Sequence, residues 1–143
     1  MELAAAGVIL GLLATYALVV IIWYVLSVIA YWKIFTKAGE EGWKSIIPIY
    51  NSYVQYRITW DVKFFWISIA VSVVGALLGY LGDAMSMLGS AFLFAAWVIN
   101  ILALHKMSKA YGHGVGFTVG LVLLNPIFLL ILGFGKSEYQ GPQ

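Results

Sequence analysis

The run LAAAGVILGLLATYALVVIIWYVLSVIAYW, residues 3–32, carries no charged side chain. A helix needs roughly 20 apolar residues to cross the hydrocarbon core of a bilayer. This stretch is long enough to cross with tilt or overhang. It is also far longer than the ~7–15 apolar residues of a cleavable signal. No basic residue precedes it in Met1-Glu2-Leu3, so it reads as a retained membrane helix.

Three more windows between charges extend the pattern. Phe64–Gly82 has no charge, Ala84–His105 has only His105, and Ala110–Gly135 has only His113. The expectation is four spans, near 5–32, 64–82, 86–105 and 117–134, in a single transmembrane domain over 1–143. The fold class is then all-α: an integral membrane four-helix bundle with an amphipathic interfacial helix between the first two spans.

Composition agrees. Hydrophobic residues make up 63% of the 143, aromatics 16% and charged residues 10%. A soluble domain carries about 25% charged residues. The mean hydropathy is +0.96. Together these exclude a nucleic-acid binder, a secreted disulfide-stapled module and a soluble enzyme. With no cysteine, thiolate catalysis and Cys-based metal sites are excluded as well. Glu2 stands where myristoylation needs glycine, and there is no cysteine near the C-terminus to prenylate.

Orientation follows from the placement of the basic residues. Lys33, Lys37, Lys44, Arg57 and Lys63 lie between the first two spans, and Lys106 and Lys109 between the last two. The turn between the second and third spans holds only Asp83, while Glu2 and Lys136 lie near the chain ends. Four crossings therefore put seven of eight basic residues on one side. That side is expected to be cytoplasmic, with loops 33–63 and 106–116 inside, both termini outside, and the protein in a prokaryotic cell membrane.

Residues 45–61 form the interfacial segment. A helix can start at Pro48, since proline suits the first helical position. On a helical wheel Ile49, Tyr53, Tyr56 and Trp60 share one face, and Asn51, Ser52, Gln55 and Thr59 the other. Such a helix lies in the interface, where Trp and Tyr concentrate. Trp43, Tyr50, Tyr53, Tyr56 and Trp60, with Lys37 and Lys44, are then the expected contacts to membrane lipids. The preferred reading is a brace lying on the surface; the other is a re-entrant or gating segment.

The two basic stretches echo each other. Lys33-Ile-Phe-Thr-Lys37-Ala38-Gly39 and Lys106-Met-Ser-Lys109-Ala110-Tyr-Gly112 each follow a span. Each is followed in turn by Pro-Ile-aromatic, at Pro48-Ile49-Tyr50 and at Pro126-Ile127-Phe128. Two parallel halves related by an axis along the membrane normal, as in some transporters, would look like this.

No Asp, Glu, Lys or Arg falls in mid-span, where such residues usually mark function. The polar candidates are Asn100 and Asn125, which in hydrocarbon seek partners on neighbouring helices. Pro126 removes a backbone bond and is expected to kink the last helix. The freed carbonyls either find a packing partner or line a small polar cavity. His105 and His113 alone do not make the three-ligand set of a zinc enzyme, and no nucleophile elbow is present. Neither a catalytic residue, a cofactor nor a metal is expected. Small-residue rows at Gly7/Gly11, Ser68/Ser72/Ala76 and Gly116/Gly120 suit close helix contact, within the chain or with a partner.

The run Lys37-Ala38-Gly39-x-x-Gly42-Trp43-x-x-Ile46-Ile47-Pro48-Ile49-Tyr50-Asn51 resembles a family of small prokaryotic multi-pass membrane proteins without an assigned activity. The turn at Lys109–Gly112, the start Gly116-Phe-x-x-Gly-Leu121 and the ending Leu132-Gly-Phe-Gly135 are similar too. Some relatives carry the name signal peptidase I or lie beside one. This chain has no Ser/Lys pairing in a soluble domain, so that activity does not transfer. The resemblance implies the topology and a prokaryotic source, and no catalytic residue.

The function expected first is a non-enzymatic accessory or structural subunit of a larger membrane complex, with other membrane proteins as partners. The alternative is an oligomeric small-solute or ion transporter or channel. A lipid-directed enzyme using His113 and the Glu40/Glu41 loop lacks a nucleophile, base and orienter set.

Overall fold

The computed structural model describes residues 1–143 and is wholly helical. Six α-helices follow in order: α1 (Glu2–Lys37), α2 (Pro48–Thr59), α3 (Val62–Leu78), α4 (Asp83–Ala110), α5 (Val115–Leu123) and α6 (Asn125–Phe134). A 3-10 turn at Gly42–Ser45 lies between α1 and α2. Helices α1 and α4 are long and apolar enough to cross a membrane. At 1.5 Å per residue α1 is about 54 Å long. Residues 2–26 of it are all exposed, Leu, Val, Ile and Trp included.

The stretch expected to be a fourth span is broken in two. Pro126 has no N–H, and its ring displaces the carbonyl four residues back. The helix stops at Leu124 (φ −128°, ψ 53°) and restarts at Asn125. The Asn125 amide donates to the Leu121 carbonyl (3.1 Å), occupying an acceptor that the break exposes. The Phe128 ring lies against Gly120, where any side chain would overlap it. The two short helices therefore close into a hairpin rather than a kinked rod.

That hairpin returns the chain to the end it came from. His113 Nε2 meets Ser137 Oγ at 2.6 Å, and the rings of Tyr111 and Tyr139 lie 5.5 Å apart. The Gln140 N–H donates to the Ala110 carbonyl at 2.7 Å, and Lys106 reaches the Gln143 carbonyl. Met1 and Gln143 lie at opposite ends of the molecule. Lys136 joins the other seven basic residues at the end where α1, α2 and α4 finish, while Glu2 and Asp83 lie at the far end.

A second hairpin precedes it in sequence. After α1 the chain turns at Gly39 (φ +80°) and runs back along α1. Gly42 rests on the Trp32 indole, and further down Tyr24 donates to the Ile46 carbonyl. Helix α2 then climbs back, passing Tyr31, whose hydroxyl donates to Gln55 Oε1 (3.1 Å). Here the amphipathic assignment is corrected. Gln55 and Thr59, expected to face water, are buried together with Val54, Tyr56 and Ile58. The reason is local pairing: Thr59 Oγ1 donates to the Gln55 carbonyl (2.6 Å), and Tyr31 occupies the Gln55 oxygen. A buried polar group costs little once bonded.

The same order thus occurs twice: a long helix, a dip, and a return helix with proline in its first turn. The return helices are exchanged, with α6 packed on α1 and α2 packed on α4. The core lies where these meet, around Ile34, Phe35, Val54, Met107, Tyr111, Leu121 and Leu132.

Helices α3 and α4 form a separate antiparallel pair whose closest approach is glycine to glycine. A methyl group on Gly89 would overlap the Gly75 carbonyl. Gly89→Ala should therefore cost about 1–3 kcal/mol, the usual scale of overpacking, and lower the Tm in detergent. Gly11→Ala has open space around it and should leave the Tm unchanged or higher.

Candidate functional site

The candidate site lies between the middle of α2, the middle of α4 and the tip of the second hairpin near Leu124–Pro126. A cavity of about 370 Å³ is lined by Tyr31 from α1, Ser52 and Gln55 from α2, Asn100 from α4, and Asn125 at the start of α6. Trp97, Ile101, Leu104, Leu121 and Val122 supply its apolar walls. A neighbouring space of about 330 Å³ shares Ser52, Gln55 and Asn100 and extends to Pro48, Tyr56 and Ser68.

The two asparagines singled out in the sequence do share this cavity, but they do not bond to each other. Asn125 spends its amide hydrogen on Leu121, leaving its oxygen free. Asn100 is exposed and lies on both spaces. Gln55 presents its free NH₂ end, since its oxygen is held by Tyr31. Sequence reading missed Tyr31, Ser52 and Gln55 as lining residues, because polar positions on α2 were assigned to water. The available signal was that Pro48 and Pro126 begin matching return helices.

The residues expected to meet lipid headgroups also make contacts within the protein. Tyr56 is buried, and its ring stacks at 6.1 Å from Trp60, which stacks on Phe64 at 3.9 Å. Trp43, Tyr50 and Tyr53 form a second ladder with spacings of 6.1 and 6.0 Å, ending edge-on against Phe65. Of these, Trp43 remains exposed. Lys37 donates to the Leu132 (2.6 Å) and Gly135 (3.0 Å) carbonyls and so caps the C-terminus of α6, where a cation suits the helix dipole.

Lys44 closes the first hairpin through an ion cluster. Glu40 accepts from Lys44 at 2.7 Å and from Arg57 at 2.6 Å, tying the descending segment to the last turn of α2. The Lys44 hydrogen bond, with help from Arg57, holds the Glu40 carboxyl below its ordinary range. The same bond pushes the Lys44 ammonium up. Glu41 accepts from the Trp43 indole, and His105 Nδ1 lies 2.9 Å from Thr118 Oγ1.

A depressed carboxyl contributes stability above its unfolded pKa and loses it as pH falls through the folded value. Protease resistance of the segment around Gly42 should therefore drop as pH falls below about 4. In Glu40→Gln the resistance should be weaker at neutral pH and no longer show that acid step.

The fold and cavity define an all-helical protein with two helices long enough to cross a membrane and a polar chamber between paired hairpins. The chain belongs to a family of unknown function, DUF5684, whose pattern matches residues 43–142, from the 3-10 turn through α6. This agrees with the resemblance at the level of a family without an assigned activity. No curated protein and no solved structure matches the chain.

Proposed function

We propose that this is a multi-pass protein of a prokaryotic cell membrane that passes a small solute, working as an oligomer. Helices α1, α3 and α4 cross, and the two hairpins enter from the cytoplasmic side without leaving on the other. The basic end faces the cytoplasm, so the N-terminus is outside and the C-terminus inside.

The observation that carries the reading is the cavity with polar lining between α2, α4 and the tip of the second hairpin. Broken helices at membrane depth are tolerated where they are buried in protein or line a water-filled space. Transporters place substrate sites at such breaks. Asn100, polar and exposed in the middle of an apolar helix, fits a wet chamber better than a lipid face.

A second reading, an accessory subunit of a larger membrane complex, rests on α1. Its residues 2–26 are all exposed, and such a helix offers a face to a partner. Native mass spectrometry of protein extracted gently from its own membrane separates the two. A homo-oligomer favours solute passage; a fixed assembly with other chains favours the subunit.

Topology has its own test. The chain has no cysteine, so single-cysteine variants report cleanly. Leu3→Cys should label with an impermeant maleimide from outside, and Gly141→Cys only after the cells are opened. Labelling of both from outside would restore the four-crossing arrangement and sink the hairpin placement. For function, Asn100→Leu and Asn125→Leu should each lower flux in proteoliposomes several-fold, and unchanged flux in both would remove the cavity from the path.

A further inference from the structure

We infer that the solute admitted to this cavity is uncharged, a small molecule of the amide, urea or polyol kind that both donates and accepts hydrogen bonds. The inference rests on the solute-passage reading and adds the chemical class.

The lining holds no Asp, Glu, Lys, Arg or His. Charged groups on α1 and α2 are engaged elsewhere. Glu40 is paired with both Lys44 and Arg57, which leaves that cluster one positive charge, and Lys37 caps α6; none of these four lines the cavity. An ion brought to half-depth would lose its hydration with no opposite charge to replace it, which is the costliest transfer a protein interior can impose. Anions are not singled out either. Helices α2 and α6 begin at the cavity, but each has proline in its first turn, which removes a backbone donor there.

What the lining does offer is a mixed set of neutral valences. The Gln55 NH₂ end is a free donor, because Tyr31 holds its oxygen. The Asn125 oxygen is a free acceptor, because Leu121 holds its amide. Asn100 supplies one of each. Gln55 is 7% exposed, so its free donor is served by whatever fills the cavity. An unpaired buried donor or acceptor costs about 1–3 kcal/mol, so a solute carrying both groups is favoured over an apolar one of equal size.

The test uses the full chain in phosphatidylethanolamine/phosphatidylglycerol vesicles. Urea and glycerol uptake is followed by stopped-flow light scattering, and K⁺ and Cl⁻ fluxes by ion-selective electrodes. Either urea or glycerol should equilibrate several-fold faster than in empty vesicles. Asn100→Leu, at an exposed position that bonds to nothing in the fold, should remove most of that gain. Both ion fluxes should stay at the empty-vesicle level. An ion flux suppressed by Asn100→Leu overturns the inference and leaves solute passage standing. A neutral flux indifferent to that substitution places the path elsewhere and overturns the inference too. Baseline rates for all four probes overturn both readings together.

Discussion

Proline at position 126 has no N–H to give and no room for the carbonyl four residues before it. Much of the remaining structure follows from how the chain accommodates that. Gly120 leaves space for Phe128, and Asn125 covers the Leu121 carbonyl, so the break closes into a turn. Because it turns, α6 comes to lie along α1, and Lys37 finds the C-terminal carbonyls of α6 within reach. Because α6 ends at the basic end, the last residues can bind the close of α2. Tyr139 donates to the Ile58 carbonyl at 2.5 Å, and the Gln143 N–H to the Thr59 carbonyl at 3.0 Å. These are terminal carbonyls with no partner inside their own helix.

The cavity is the complement of that packing. A space is left between α2, α4 and the start of α6, and Ser52, Gln55, Asn100 and Asn125 face it among apolar walls. Tyr31 and Gln55 show how this polarity is held. One hydrogen bond fixes the orientation of the amide, so that its donor end rather than its oxygen faces the chamber. Neutral amides and hydroxyls give a site with direction but without net charge, a combination that survives in low dielectric, where an isolated charge would not.

Much of this was legible in the sequence. The uncharged windows gave α1, α3 and α4 close to their observed bounds, because apolar length alone decides a long helix. Direction was not legible in the same way. The uncharged stretch from Ala110 to Gly135 is long enough for one crossing or for two half-crossings, and hydropathy does not distinguish them. The discriminating residues are few: Pro126, the small Gly120 that accepts Phe128, and Lys136, which reads as an exception until the hairpin brings it home. Gln55 and Thr59 were misplaced for a different reason. A helical wheel assigns polar positions to water, yet Tyr31, far away in sequence, pairs with one of them, and α2's own backbone with the other. Asn100 and Asn125 were found because asparagine in a long apolar run has few ordinary explanations.

The repeated order has a mechanical consequence. Each half contains a long helix and a return helix, yet the return helix packs on the other half's long helix. Neither half can therefore bury its own return helix, and the core around Val54, Leu121 and Leu132 forms only when both hairpins are in place. A molecule that bonds Gln55 on α2 and Asn125 at the second tip would bridge elements that meet in one core. Its binding would bear on the position of both hairpins at once.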